Sequence, residues 1–381
     1  MTTNLKKANP SMRTFFTIRD DLKNTQIAFK RTKKGRVAFL GGSITKMQWP
    51  KMVSEVIRNR YPKAEIDFIY AGCPSMGTTP HAFRLTRDVF SKGKVNLLFV
   101  EAAVNDAANG RTPEEMIRGM EGVIRHARRI NPEIDIVMMH FVDPSKMKDY
   151  NNGTVPIVIQ QHEKVAQHYR INSLNLALEV TERINAGEFT WEDDFKNLHP
   201  SPFGQKLYTD SIGNMLNTLW PDFLHSDDKI RSRELPVPLD PYSYDNGRLV
   251  EIKHAQLGSD WKIDENWQPA KGGTRQGFVN VPMLICEKPG EALTFDFKGR
   301  GVGILVAAGY DAGMIEYSVD GDPWQKRDLF THWSRGLHLP WLYVLTANLD
   351  DNKHTLKLRV ISEKNKESQG HTCRIAKFTV N

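Results

Sequence analysis

Apolar and polar positions follow two different patterns along the chain. Between about residue 36 and residue 225, short apolar runs alternate with longer segments whose apolar residues recur at helical spacing. Alternating strands and amphipathic helices are typical of an α/β domain, in which a parallel sheet carries helices on both faces. The predicted buried strands cover residues 37–40, 66–71, 97–100, 134–140 and 173–176.

Two of the predicted helices have clear local signals. One begins near Trp49, where apolar residues repeat at helical spacing up to Ile57. Another begins after Thr112, because a capping threonine is followed by Pro113 and by two acidic residues at the positive end of the helix. Helices of this kind, placed between strands, are the crossover connections of a parallel sheet.

The pattern changes after residue 225. Residues 226–240, "SDDKIRSRELPVPLD", are charged and rich in proline, and we predict a linker. From residue 241 to 381, short β-type runs follow one another closely with turn signals between them, which predicts an antiparallel β-sandwich of the jelly-roll or carbohydrate-binding type. The expected organisation is an extension over 1–35, an α/β domain over 36–225, the linker and the sandwich.

Composition narrows the class of protein. The net charge of +7 is spread along the chain and no nucleic-acid motif accompanies it, so we expect no nucleic-acid partner. No apolar run is long enough to span a membrane. The N-terminus lacks the apolar core of a secretory signal; the chain as written is expected in the cytoplasm, or in the periplasm or outside the cell if a signal peptide was removed. Three dispersed cysteines form neither a disulfide framework nor a zinc pattern.

Three polar motifs follow predicted strands or close the α/β domain. Ser43 lies in "LGGSIT" directly after the first strand, Asn105 lies in "VEAAVNDAANG", and His199 lies in "NLHPSPFGQ" before two prolines. Ligands of parallel sheets bind at the carboxyl ends of the strands. A serine there, a histidine that titrates near neutrality and an amide donor are the groups of nucleophilic catalysis, although each motif alone is more often a turn, a cap or a surface residue.

The stretches "GGSIT", "AGCPSMGTT", "AVND" and "LHPSPFGQ" resemble the four signature blocks of the SGNH/GDSL hydrolase superfamily. The resemblance covers residues 36–220 and extends to bacterial carbohydrate-esterase-like members with a β-rich C-terminal domain. It implies a flavodoxin-like three-layer sheet and a serine esterase mechanism. It implies no cofactor, and no metal-ligand spacing is present.

By position, the resemblance makes Ser43 the nucleophile and His199 its base. It makes Asn105 and the backbone N–H of Ser43 donors to the oxyanion. A third backbone donor comes from the second block, where Gly77 is preferred and a gap-free alignment indicates Ser75.

The acid of the triad departs from the family pattern. The family places an aspartate three residues before the histidine, and this chain has Lys196 there. Asp194 is the preferred acid, with Glu192 and Asp193 as alternatives. A further alternative is a Ser–His dyad whose imidazole is oriented by a backbone carbonyl.

The substrate is predicted from the C-terminal region. Five of the eight tryptophans lie there, and they either fill the sandwich core or stack on sugar rings (Trp261, Trp267, Trp324, Trp333 and Trp341). Together with the resemblance, they favour removal of acetyl groups from a poly- or oligosaccharide. The alternatives are a general lipase or esterase, and a non-catalytic glycan-binding protein on a hydrolase scaffold, which Lys196 favours. The oligomeric state is left open.

Overall fold

A computed structural model describes residues 14–290 and 292–381. The chain divides into two compact units: unit 1 runs to His81 and from Leu85 to Ser243, and unit 2 comprises Ala82–Arg84 and Tyr244–Asn381. Within the described ranges, no helix is both long and apolar enough to cross a membrane.

Unit 1 contains strands β1–β6 and helices α1–α9, except that Ala82–Arg84 of α3 belong to unit 2. The strands are Phe16–Thr17 (β1), Lys34–Gly41 (β2), Glu65–Gly72 (β3), Leu97–Glu101 (β4), Asp135–Met139 (β5) and Asn172–Leu174 (β6). The helices are Lys23–Ile27 (α1), Trp49–Arg60 (α2), Thr78–Leu85 (α3), Ala103–Ala108 (α4), Pro113–Ile130 (α5), Pro144–Asn151 (α6), Ile157–His168 (α7), Leu176–Asn185 (α8) and Pro202–Leu219 (α9). Short 3-10 or π segments cover Ala28–Thr32, Ile44–Lys46, Thr86–Phe90 and Trp191–Phe195.

The central sheet has the order β1-β6-β5-β4-β2-β3. Its last five members pair in parallel, and β1 adds an antiparallel edge strand through Phe16 opposite Leu174. Counted along the chain, the parallel strands have the 2-1-3-4-5 order of flavodoxin-like sheets, so the α/β prediction is confirmed. The edge strand comes from the segment expected to be an N-terminal extension.

Alternating strand residues form a core on each face of the sheet. Phe39 and Phe99 stack at 5.1 Å between ring centroids, and Trp49 of α2 meets Phe39 edge-on at 5.5 Å. Their neighbours Leu40 and Leu98, which point to the opposite face, are equally buried. Helix α5 starts with a complete capping box between Thr112 and Glu115, as its sequence signal indicates.

Residues 231–240, which we call the strap, are attached to helix α5 within unit 1. Four side chains of α5 share one face of the helix and bind the strap, mostly through its backbone. Because these groups are largely buried, the strap is fixed to unit 1 although its sequence resembles a linker. The hydrogen bonds join Arg118 to Asp240, Glu121 to Leu239 and Asp240, Arg125 to Pro236, and Arg128 to Glu234.

Unit 2 is built from two packed sheets, as predicted. One has the order β8-β10-β17-β12-β15-β9, with β7 also paired to β17, and the other has the order β11-β16-β13-β14. Both contribute to one core, in which Phe295 and Phe378 stack at 4.1 Å. The strands are Arg248–Val250 (β7), Lys262–Trp267 (β8), Gly273–Thr274 (β9), Val281–Cys286 (β10), Leu293–Gly299 (β11), Val302–Ala308 (β12), Met314–Val319 (β13), Gln325–Asp328 (β14), Leu337–Thr346 (β15), Asn352–Val360 (β16) and Cys373–Val380 (β17), and a 3-10 turn covers Ile252–His254.

Strand pairing brings two of the dispersed cysteines together. Cys286 on β10 lies opposite Cys373 on β17, and both are buried free thiols. Burial raises the pKa of both thiols, because a thiolate loses its hydration in an apolar core. Both residues therefore act as small apolar side chains in the sandwich.

Candidate active site

Ser43 and His199 meet at the carboxyl end of the central sheet. The Oγ of Ser43 lies 2.6 Å from the Nε2 of His199, across 156 positions of sequence. Ser43 is half-buried at the start of the 3-10 turn Ile44–Lys46, whereas His199 is exposed. This is hydrogen-bonding distance for a serine and a base that can take its proton.

The two glycines before Ser43 are required by the side chains packed against them. A Cβ on Gly41 would lie 2.1 Å from Thr45 Oγ1 and 2.6 Å from Glu101 Oε1. A Cβ on Gly42 would lie 2.0 Å from Asn105 Oδ1. Glycine at both positions therefore lets a carboxylate and an amide approach the backbone that carries Ser43.

Asn105 lies beside this turn because of where β4 ends. Strand β4 stops at Glu101, and the short helix α4 begins at Ala103 and carries Asn105 within its first turn. Asn105 is half-buried, with its side chain against Gly42. An amide in this position can donate a hydrogen bond to an oxyanion formed on a carbonyl bound at Ser43.

The second block is held by the residue after Asn105. Asp106 is fully buried; its Oδ1 accepts the backbone N–H of Thr78 at 2.9 Å and its Oδ2 accepts the Thr78 hydroxyl at 2.7 Å. A Cβ on Gly77 would lie 2.0 Å from Asp106 Oδ1, so glycine is needed there too. Ser75 has a φ of 67° and its carbonyl accepts a hydrogen bond from Asn109. The choice between Gly77 and Ser75 as oxyanion donor stays a prediction.

The loop before His199 is rigid for local reasons. The Oδ1 of Asn197 accepts the backbone N–H of His199, and Ser201 caps helix α9 immediately afterwards. Lys196, which replaces the family aspartate, has a φ of 80°. A non-glycine residue in this region is uncommon and marks a sharp local turn of the chain.

Asp194, the preferred acid, lies in the π segment before this loop. Its Oδ2 accepts the backbone N–H of Thr190 at 2.8 Å and the Thr190 hydroxyl at 3.2 Å. These bonds hold the start of the segment, as a capping carboxylate does. Its backbone carbonyl accepts the Ser201 hydroxyl. The structure thus gives Asp194 a structural contact, and its assignment as triad acid stays a prediction together with the alternatives Glu192, Asp193 and a dyad.

Glu101 is a buried carboxyl group next to Ser43 that the sequence analysis did not assign. Its Oε1 accepts the backbone N–H of Gly42 at 2.7 Å and the Thr45 hydroxyl at 3.2 Å. Burial raises the pKa of Glu101 to about 7, and the bonds from Gly42 and Thr45 only partly offset that effect. In the sequence, the feature that could have indicated Glu101 is an acidic residue at the end of an otherwise apolar, buried strand.

A buried histidine supports Asp106 from the other side. The Nε2 of His162, on helix α7, lies 3.0 Å from Asp106 Oδ2, and both side chains are fully buried. Nothing local in the sequence joins these residues, because they lie 56 positions apart. The pair fixes Asp106 within helix α4, and with it the preceding residue of that helix, Asn105.

Comparison with known proteins agrees with this geometry. Residues 39–207, which include Ser43, Asn105 and His199, match the family model of the GDSL-like lipase/acylhydrolase family. Unit 1 contains a GDSL-like lipase/acylhydrolase domain. The protein is therefore an enzyme of the carboxylic ester hydrolase class. The Ser43–His199 pair lies at the carboxyl end of the sheet, where parallel sheets bind their ligands. No curated protein sequence matches the chain.

Solved structures extend the likeness to both units. Two crystal structures of a two-domain esterase active on acetylated mannans, one with mannopentaose, match with TM-scores of 0.74 and 0.73. Each is 19% identical and covers 96% of this chain and 96% of that chain. A catalytic mutant of an acetylxylan esterase from Geobacillus stearothermophilus is 14% identical over 52% of this chain and 97% of that chain, with a TM-score of 0.40. The first two matches confirm the two-domain fold.

The five C-terminal tryptophans divide between core and surface. Trp261 and Trp267 are each 5% exposed and belong to the interior of unit 2. Trp324 and Trp333 are 40% and 44% exposed, and Trp341 is half-buried. Arg359 lies over one face of Trp324 at 4.6 Å, and the ring of His332 lies 4.4 Å from that of Trp333, so each exposed indole has one close neighbour. Among these tryptophans, Trp261 and Trp267 thus fit the expected role in the core, and Trp324 and Trp333 are the candidates for stacking on sugar rings.

Proposed function

We propose that the protein is a serine esterase that removes acetyl groups from a poly- or oligosaccharide through an acyl-enzyme. The observation that carries the proposal is the 2.6 Å contact between Ser43 Oγ and His199 Nε2, with Asn105 beside the same turn. The family match supports ester hydrolysis. The assignment of an acetylated carbohydrate as the substrate goes beyond that match.

The acylation step follows from these groups. His199 takes the proton of Ser43 as the serine oxygen attacks the acetyl carbonyl. The carbonyl oxygen becomes an oxyanion that accepts hydrogen bonds from Asn105 and from the backbone N–H of Ser43, with Gly77 or Ser75 as the third donor. The bond to the sugar oxygen then breaks, and the imidazolium of His199 returns its proton to the leaving sugar hydroxyl.

Deacylation repeats the same chemistry with water. His199 removes a proton from water as it attacks the acetyl group on Ser43, and the second oxyanion forms in the same place. Collapse releases acetate, and the proton returns to the Ser43 oxygen. Every step of this proposed mechanism uses groups of unit 1.

Two observations support an acetylated carbohydrate as substrate. The likeness to the esterase active on acetylated mannans runs through both units, not through the hydrolase domain alone. Unit 2 also exposes Trp333, and flat aromatic rings pack well against the apolar faces of sugars.

The experiment measures acetate release from acetylated mannan, acetylated xylan and acetylated oligosaccharides, and hydrolysis of p-nitrophenyl esters of increasing chain length. We expect acetyl esters to be preferred and Ser43→Ala to lose at least ~10³-fold in kcat, because the nucleophile is removed. His199→Ala is expected to fall similarly. Thr218→Ala, at an exposed position of α9, is the matched control and should retain wild-type rates.

Each alternative gives a different result. A general esterase would prefer long acyl chains and ignore the acetylated glycans. A glycan-binding protein without catalysis would release no acetate, and Ser43→Ala would bind glycans as well as the wild type does. Either result would refute the proposal.

A further inference from the structure

We infer that Glu101 is a positioning residue for the esterase site: its carboxyl group holds the Gly41–Thr45 turn so that the Ser43 backbone N–H and hydroxyl stay in place beside Asn105. This inference rests on the proposed function, because it assigns a role within the same reaction. Glu101 itself does not touch the reacting atoms in this assignment.

The first argument is the contact pattern. The Oε1 of Glu101 accepts hydrogen bonds from the N–H of Gly42, one residue before Ser43, and from the hydroxyl of Thr45, two residues after it. One oxygen atom therefore fixes both sides of Ser43. A serine whose own N–H is to donate to an oxyanion needs this backbone to be held in advance of the reaction.

The second argument is the space that the turn gives to this carboxyl group. Without side chains at Gly41 and Gly42, Glu101 approaches the backbone closely; a Cβ at position 41 would lie 2.8 Å from Glu101 Cγ. The backbone carbonyl of Glu101 also lies 3.2 Å from the Nε2 of buried His81. Glu101 is thus fixed at its main chain and at its side chain.

The third argument is the position of Glu101 in the fold. It is the last residue of β4, four positions before Asn105, so the same strand end presents the amide and the carboxyl group that holds the serine turn. A shift of β4 would therefore move Asn105 and the Ser43 turn together. Their relative placement, which decides the geometry around an oxyanion, would be preserved.

The burial of Glu101 is costly, and packing alone would not require a carboxyl group there. The side chain is 1% exposed, and among the described residues Oε2 has no hydrogen-bond partner. Asp106 and Lys146 are the charged groups that act on it, in opposite directions. A buried, half-satisfied carboxyl group destabilises a fold unless its contacts serve another purpose.

The test separates the reach of this side chain from its charge. Glu101→Gln keeps the acceptor oxygen at the same length and loses the charge, whereas Glu101→Asp keeps the charge and is one methylene too short. We expect Glu101→Gln to retain kcat within ~5-fold and Glu101→Asp to lose ~10²-fold in kcat with little change in KM, because misplacement of the site by about 1 Å has such effects.

Glu179 supplies the matched control. It is another buried carboxyl group of unit 1, and it accepts hydrogen bonds from the Ser211 hydroxyl at 2.8 and 2.7 Å. Glu179→Gln and Glu179→Asp impose the same chemical changes away from Ser43 and should leave kcat within ~2-fold. Circular dichroism and thermal unfolding identify any variant that does not fold.

The readouts are kcat and KM on p-nitrophenyl acetate, and the rate at which a fluorophosphonate labels Ser43. Equal losses in Glu101→Gln and Glu101→Asp, or wild-type rates in Glu101→Asp, would overturn the inference. The inference would also be overturned if the fluorophosphonate labels Ser43 in Glu101→Asp at the wild-type rate. Ser43→Ala distinguishes the two levels: if it stays active, the proposed function fails; if it is inactive while Glu101→Asp is not impaired, only the role of Glu101 fails.

Discussion

Replacing Gly42 with alanine tests the geometry of the site with a single methyl group. Gly42 lies outside the left-handed backbone region, so alanine introduces no backbone strain there. Its Cβ would nevertheless lie 2.0 Å from Asn105 Oδ1, where ordinary contact begins at 3.4 Å. The obstructing atom is the end of a half-buried side chain, so the amide can move while the fold is kept.

The expected magnitude follows from that distance. The Asn105 amide must retreat by about 1.4 Å, and displacements of about 1 Å in a catalytic group cost on the order of 10²-fold in rate. We therefore expect kcat to fall ~10²-fold, equivalent to about 2.7 kcal/mol of transition-state stabilisation, with KM changed less than ~3-fold.

The assay is steady-state hydrolysis of p-nitrophenyl acetate, with thermal unfolding measured on the same samples. Gly213→Ala is the matched control, because its Cβ would meet only Val56 Cγ1 at 3.8 Å in the middle of helix α9. That control should keep wild-type kcat and gain about 0.5–1 kcal/mol of stability. A Gly42→Ala enzyme with kcat within threefold of the wild type would refute the placement of Asn105 as an oxyanion donor.

Three further predictions concern stability. Burial raises the pKa of Glu101 to about 7 from 4.5, so the protonated carboxyl group stabilises the fold fully below about pH 4.5, and this contribution is lost as the pH rises to about 7. In urea unfolding, the wild type should therefore lose about 3 kcal/mol of stability relative to Glu101→Gln between these two pH values. A stability difference between the two proteins that does not change with pH would contradict this prediction. Arg118→Met leaves the buried carboxylate of Asp240 without its 2.8 Å partner and should lower the free energy of unfolding of unit 1 by about 3–5 kcal/mol. Adding Asp240→Asn to this variant should restore most of that stability, and no recovery would show that the broken ion pair is not the cause. Phe295→Ala removes a ring stacked at 4.1 Å on Phe378 and should lower the free energy of unfolding of unit 2 by about 3–5 kcal/mol. The esterase kcat of the same variant serves as the readout for unit 1. A loss of stability below about 1 kcal/mol would contradict a core shared by the two sheets of unit 2.

The sequence by itself determined the elements and the types of chemical group. Apolar periodicity located the five parallel strands of the central sheet and most of the strands of unit 2, and the capping signal at Thr112 placed the start of α5. Strands β1 and β10 and the short strands β7, β8, β9 and β14 were not predicted. Strands β7, β8, β9 and β14 carry few apolar residues in alternation. The order Ser43, Asn105, His199 at strand ends also indicated one edge of the sheet. These features depend on neighbours a few residues apart, which a linear pattern records.

Tertiary structure alone decided which distant groups touch. The strap has the composition of a linker, and its bonds to α5, together with those of Arg233 to Asp20 and Asp135, fix it to unit 1. Glu101 and Gly42 are separated by 59 positions, and His162 and Asp106 by 56. Whether a carboxyl group is solvated or buried against a backbone N–H depends on the packing of whole strands and helices, because desolvation is a property of all the surrounding atoms. The residue types around Ser43 could thus be predicted, and their burial and mutual support could not.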